Sequence, residues 1–407
     1  MSRIITGAVI GILLLAGGLL AFDAVGTIRK VDADKGVLHI QARGQERVVN
    51  LAKDVKVLDK AGKELEGGLR SPELKEGAVV TVTVERGTGG PEIRAIRLGG
   101  QAGADAPTQD GKATIGLKPL TEMTAKDQYQ GEDGGLYGGG QNEPPEAHKS
   151  AARAVTEQIV PRDENGKPDP NGRIVLVSIS MSNATQEFSM FKAIADTDSD
   201  KSPKLTIVDC AQGGQAMAEW ADPQGRPWDE ALRRLTAAKV APEQVQVAWI
   251  KLANKGPSGN LRQHGKKLQQ DTQAVLHHAK KRFPNLRVAY LSSRIYAGHA
   301  RGSLNPEPYA YESAFVVRWL IQDQIKGAPG LNYDAQRGEV KAPLLLWGPY
   351  LWADGTTPRQ SDGLIWERDD FTGDGVHPSQ SGRRKVAEQL LKFFKTDPYA
   401  KTWFVKG

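Results

Sequence analysis

Apolar residues follow four different patterns along the chain, and each pattern predicts a different kind of structure. The first is a near-continuous apolar run from Ile4 to Phe22, set directly after Arg3. A positive residue followed by an apolar stretch close to the ~20 residues that cross a bilayer has the form of an export signal. Small residues at Ala16-Gly17-Gly18 and Ala21 suit cleavage, and an uncleaved membrane anchor over residues 1–22 is the alternative.

From 23 to 98 the apolar runs are short and partly alternate with polar positions: "AVGTIRKVD", "GVLHIQARG", "ERVVNLA", "VKVLD", "AVVTVTVER" and "EIRAIRLGG". Turn residues such as "DADKG" and "DKAGKE" separate them, so this stretch reads as a small, closed β-barrel domain. Residues 99–170 carry little periodicity. "GGQAGADAPTQDGKATIG" has the composition of a flexible tether. Gly138-Gly139-Gly140 and Pro144-Pro145 then lead to a short helix over 146–159, expected as an ordered lead-in that packs on the next domain.

Over 171–407 the pattern changes to apolar runs without alternation: "RIVLVSIS" (173–180), "KLTIVDC" (204–210), "VQVAWIKLA" (245–253), "RVAYLSS" (287–293) and "APLLLWGPY" (342–350). Strands apolar on both faces belong to a parallel sheet covered on both sides. The segments between them have helical spacing, so the expected fold is a doubly wound α/β domain with a five-stranded parallel sheet. A closing helix is expected from Ser379 to Lys395, with Val386, Leu390, Leu391 and Phe394 as its apolar stripe and Pro378 in its first turn.

Composition narrows the function classes. The net charge of +6 is thin over 407 residues, and the basic clusters "HGKKLQQ" and "SGRRKVAEQ" look like solvated helix faces, so no nucleic-acid partner is expected. Cys210, the sole cysteine, ends an apolar strand and reads as a structural residue. Asp196, Asp198 and Asp200 have calcium-loop spacing, but Lys201 and Ile207 stand where such a loop needs Gly and Glu. Neither a metal nor a cofactor is expected.

Ligands of open α/β sheets bind beyond the carboxyl ends of the strands. After the first strand comes Ser182, placed to receive help from a helix N-terminus; an N-cap serine is the plainer reading. After the second comes Gly213-Gly214, able to bring backbone N–H groups close to a ligand. After the third comes Asn254, whose amide can donate to a developing oxyanion, or which is simply a turn residue. Before the last helix, "DFTGDGVHPS" offers His377 as a base with Asp374 to orient it. Together these residue types meet the needs of acyl transfer.

This ordered constellation resembles the SGNH (GDSL-like) hydrolase superfamily over about 172–396, and the "GGLYGGG…PP" lead-in resembles an exported bacterial subgroup of it. The resemblance implies a flavodoxin-like sheet flanked by helices. It also implies Ser182 as nucleophile, His377 and Asp374 as its triad partners, and an oxyanion hole from Ser182, Gly214 and Asn254. Two blocks depart from the family pattern. Ser180-Met181 replaces Gly-Asp before the serine, and Leu252-Ala253-Asn254-Lys255 keeps only the Asn of Gly-x-Asn-Asp. Two functions are therefore expected: an exported serine esterase, with a polysaccharide ester as one candidate substrate, or an inactive homologue that binds an envelope glycan or protein. On the approach to the Asp/His loop, Trp352 and Trp366 are candidates for stacking on sugar rings, whereas Trp347 reads as core. Arg294, with Tyr296 and His299, is a candidate pocket residue after the fourth strand.

Overall fold

A computed structural model describes residues 22–42, 45–59, 62–87, 90–98 and 113–406. The apolar leader over 1–21 and the Gly-rich tether over 99–112 lie outside the described residues. No helix among the described residues is long and apolar enough to cross a membrane. The chain divides into two compact units, Met1–Gln109 and Asp110–Gly407.

The first unit contains five strands: β1 (Phe22–Asp32), β2 (Val37–Ala42), β3 (Gln45–Leu58), β4 (Val79–Gly87) and β5 (Gly90–Leu98). They pair in the order β1-β2-β3-β5-β4 and close on themselves. Alternation puts Leu38 and Ile40, and likewise Val80 and Val82, on the inside, where they meet Ile28, Ile93 and Ile96. Only glycine fits at position 26, since a Cβ added to Gly26 would lie 2.6 Å from the Ile40 side chain.

The second unit opens with the lead-in and helix α1 (Glu146–Thr156), then runs β6 (Ile174–Ile179), α2 (Ser182–Asp196), β7 (Leu205–Val208), α3 (Met217–Trp220) and α4 (Arg226–Ala237). It continues through β8 (Val245–Lys251), α5 (Leu261–Arg282), β9 (Val288–Ser292), α6 (Tyr309–Ile325), β10 (Leu344–Trp347), α7 (Gln380–Thr396) and α8 (Lys401–Phe404). The five strands form one parallel sheet in the order β10-β9-β8-β6-β7. Every residue of β6, β8, β9 and β10 is buried, as expected of strands covered on both faces. On one face α2 packs beside α7. Phe188 of α2 stacks on Trp249 of β8 at 5.5 Å, and Phe191 meets Phe394 of α7 at 5.4 Å.

The lead-in is part of this unit, with Leu120 and Met123 in its core. Arg318 of α6 explains the loop's composition. Its buried guanidinium donates to the Asp133 carbonyl at 2.7 Å and to the Glu132 carboxylate at 2.6 Å. Gly138, Gly139 and Gly140 all have positive φ, at 84, 61 and 74°, so the three glycines turn the backbone where other residues would be strained.

The closing helix starts one residue later than expected. Ser379 is the N-cap and Pro378 lies before it, because Pro378 is bridged to Phe371 and the Ser379 amide donates to Asp370.

Candidate active site

Strand β6 ends at Ile179 and helix α2 begins at Ser182, so only Ser180 and Met181 make the turn. Met181, with φ −93 and ψ −170°, is the N-cap, which leaves Ser182 as the first helical residue. The plainer expectation of an N-cap serine is thus not met: the Ser182 hydroxyl is not spent on its own helix. Ser180 occupies the turn without crowding it, its hydroxyl donating to the Lys251 carbonyl on neighbouring β8.

Ser182 Oγ lies 2.7 Å from His377 Nε2, and His377 Nδ1 lies 2.5 Å from Asp374 Oδ2. With Nδ1 protonated and donating to the carboxylate, Nε2 accepts the serine proton. The loop that carries both residues is tight: the Thr372 amide donates to the His377 carbonyl at 2.8 Å, and Gly375 has φ 70°. An added Cβ at Gly375 would sit 1.6 Å from the His299 carbonyl oxygen, so no other residue fits. Asp374 Oδ1 accepts from the amides of Val376 and His377, both at 3.0 Å, and from the Thr372 hydroxyl at 2.8 Å. Burial opposes ionisation of Asp374, but these bonds and the one from the His377 ring outweigh it and hold the carboxyl well below its usual range.

The proposed oxyanion donors sit on the exits of β7 and β8. Gly214 is exposed with φ 75°, a conformation that favours glycine. Lys255 Nζ donates to its carbonyl at 3.0 Å. Among the described residues, the amides of Ser182 and Gly214 donate to no protein group. Asn254 has its side-chain amide fixed at both ends. Its oxygen accepts from the Ala218 amide at 2.9 Å and its nitrogen donates to Asp271 at 2.7 Å, leaving one N–H. The neighbours of the three donors, Met181, Ala216 and Ala253, touch one another in a small apolar cluster.

Polar ties, unreadable in the sequence, hold α2 against three other segments. Asn183 Nδ2 donates to the Val376 carbonyl at 2.9 Å. Lys251, which ends β8, gives Glu187 of α2 two hydrogen bonds, of 2.6 and 2.5 Å, with both side chains fully buried. Burial lowers the Lys251 ammonium to about 8 and raises the Glu187 carboxyl, each against the attraction of the other. Asp209, just past β7, accepts from Ser178, Thr185 and Ser189 at 2.5 to 2.7 Å. These residues look like ordinary polar positions in the sequence, because only the sheet order brings them together.

The three candidate substrate-binding residues are elsewhere. Trp352 and Trp366 are fully buried, their indole N–H groups bonded to Glu307 and to the Leu351 carbonyl, so neither ring has a face free for a sugar. Arg294 is 2% exposed, and burial lowers its pKa while Glu187, Glu307 and Asp374 oppose that. Tyr296 and His299 are also buried, and their rings meet edge to face at 5.6 Å. His264, which opens the "HGKKLQQ" cluster read above as a solvated helix face, is buried and bonded to Glu312. Cys210 is buried. Asp198 and Asp200 both pair with Lys395.

No family model matches the chain, and no curated protein matches it. Solved structures do align with it at low identity. A Salmonella ser. Paratyphi A lipopolysaccharide acetyltransferase periplasmic domain is 12% identical and has a TM-score of 0.30, with 60% of this chain and 94% of that one covered. A GDSL-like lipase of Bacteroides thetaiotaomicron is 11% identical with a TM-score of 0.27, covering 60% and 95%. An extracellular lipase of Streptomyces rimosus is 11% identical with a TM-score of 0.27, covering 54% and 98%.

Proposed function

We propose that the chain is a serine ester hydrolase that works by acyl transfer through Ser182, His377 and Asp374. The observation that carries this reading is the continuous bonded path of Ser182 Oγ to His377 Nε2 at 2.7 Å and His377 Nδ1 to Asp374 at 2.5 Å.

In the first half-reaction Ser182 Oγ bonds to the ester carbonyl carbon while its proton passes to His377 Nε2. The carbonyl oxygen becomes an oxyanion, met by the amides of Ser182 and Gly214 and by the remaining N–H of Asn254. The C–O bond to the leaving group then breaks, and the departing alkoxide takes the proton from Nε2. In the second half-reaction water adds to the acyl-enzyme and gives its proton to Nε2. That proton returns to Ser182 Oγ as the carboxylic acid leaves. Asp374 keeps Nδ1–H pointed inward and stabilises the imidazolium in both halves.

The Arg3 and Ile4–Phe22 pattern supports export to the periplasm, envelope or exterior, with membrane anchoring as the alternative. An ester on an envelope carbohydrate is the proposed natural substrate. A second reading, an inactive homologue that binds an envelope glycan or protein, is motivated by Ser180-Met181 standing where the family has Gly-Asp. A fluorophosphonate probe separates the two. The esterase reading expects covalent labelling of Ser182 and p-nitrophenyl acetate hydrolysis, both lost in Ser182→Ala, with a fall in kcat of ~10³-fold or more. A wild-type chain that is neither labelled nor active would overturn the esterase reading, and the binding reading then needs direct glycan- or protein-binding measurements.

A further inference from the structure

Gly213 and Gly214 follow β7 and Asn254 follows β8, the two strands that flank β6 in the sheet. Both glycines are exposed, and a Cβ added at either meets nothing within 4 Å, so packing does not hold them. Their turn is closed at its ends by the Gln215 amide on the Gln212 carbonyl, a long bond of 3.3 Å. Among the described residues, one side chain reaches the pair: Lys255 Nζ donates to the Gly214 carbonyl at 3.0 Å.

Lys255 is itself held. Its ammonium pairs with Glu219 Oε1 at 2.6 Å, and Glu219 Oε2 accepts from the Ala216 amide at 2.8 Å. The next two amides, of Met217 and Ala218, donate to the Ala253 carbonyl at 3.0 Å and to Asn254 Oδ1 at 2.9 Å. Gly214, Lys255, Glu219 and the start of α3 thus close a ring of bonds, and Asn254 is fastened to the same ring. A glycine pair moves freely unless something fixes it. An oxyanion donor works by being aimed before the reaction starts. Lys255 also stands where the SGNH pattern has Asp, directly after the Asn of Gly-x-Asn-Asp. A carboxylate at 255 has no proton to give the Gly214 carbonyl and would repel Glu219. The lysine and Glu219 therefore belong together.

Resting on the esterase reading, we propose that Lys255 is a positioning residue of the oxyanion hole. With Glu219 it clamps Gly214 to Asn254, so that the N–H groups of both address one oxyanion. The residue that departs from the family pattern then serves the reaction instead of marking its loss.

The test compares Lys255→Met, Lys255→Asp and Lys255→Arg with the wild type as full-length chains. It reads p-nitrophenyl acetate kinetics, the rate of fluorophosphonate labelling at Ser182, and urea unfolding. Lys255→Met is expected to lower kcat ~10- to 100-fold with KM within ~2-fold. Labelling should slow by a similar factor, because the phosphonyl oxygen uses the same donors. Lys255→Asp, which restores the family residue, should be slower still. Lys255→Arg keeps a cationic donor and should stay within ~5-fold of the wild type. The Lys255 side chain is 44% exposed, so the urea midpoint of Lys255→Met is expected to stay where it is. A wild type labelled at Ser182, with Lys255→Met or Lys255→Asp as fast as it, overturns the clamp and leaves the esterase reading standing. A loss of rate that only follows a loss of stability does the same. A chain neither labelled nor active overturns both.

Discussion

Asn183 Nδ2 donates to the carbonyl of Val376 at 2.9 Å, so the residue after the proposed nucleophile is bonded directly to the residue before the proposed base. Asn183 is 1% exposed, so this bond is shielded from bulk solvent. Ser182 and His377 are 195 positions apart in the chain, and this link is one of the things that sets their spacing. Shifts of about 1 Å in such a pair cost ~100-fold in rate. Asn183→Ala is therefore expected to lower kcat by ~10- to 100-fold with little change in KM, at a stability cost of about 1–2 kcal/mol. Steady-state kinetics and urea unfolding of the same preparation check both numbers.

Asp374 yields a prediction with a defined sign in pH. Its carboxyl is held below the usual range in the folded chain and sits near ~3.9 when unfolded. The unfolded state thus binds the proton more readily. The stability contributed by the ionised carboxylate is full above that value and is lost as pH falls below it, toward the folded pKa. Asp374→Asn removes the titrating group. Its unfolding midpoint should change less between pH ~5 and ~2 than that of the wild type. The same variant loses the acceptor that fixes the His377 tautomer, so kcat is expected to drop ~10³- to 10⁴-fold. A wild-type rate in Asp374→Asn would remove it from the triad.

Glu187 and Lys251 are a test of buried-charge energetics. Removing one partner leaves an uncompensated charge, and Glu187→Gln should destabilise the second unit by about 3–5 kcal/mol. Replacing both, as Glu187→Leu with Lys251→Met, should recover most of that loss, since an apolar pair of similar volume carries no desolvation penalty. Chemical denaturation of the three proteins reads this directly. Destabilisation of the double variant beyond that of the single would mean that the pair has a packing role no apolar pair can fill.

The sheet and the order of its strand ends could be read from the sequence because unbroken apolar runs such as "RIVLVSIS" and "VQVAWIKLA" have few other ways to fold. Ser182, Gly213-Gly214, Asn254, Asp374 and His377 stand out as candidates for the same reason, since a parallel sheet puts the residues after its strands at one edge, and the structure brings Ser182, His377 and Asp374 into one bonded path. What could not be read depends on which side chains meet across elements. Trp352 and Trp366 lie in loop sequence, yet they are core, with their N–H groups bonded to Glu307 and the Leu351 carbonyl. His264 sits among lysines in the sequence, but the first turns of α5 face Glu312 of α6. Glu187 and Lys251 are 64 positions apart and meet only because α2 crosses β8. The lead-in has no period to detect, since Arg318 and positive-φ glycines shape it instead of an amphipathic face.

The bare glycines around the nucleophile have a consequence for how such a site can change. Gly213 and Gly373 have room for a side chain and no positive φ to forbid one. Gly375 and Gly214 lack that freedom, one for want of space and the other for its backbone angle. The rim is thus divided into positions that can be varied and positions that cannot. A new side chain could be installed at Gly213 or Gly373 by single substitutions, leaving the bonded path from Ser182 to Asp374 as it is.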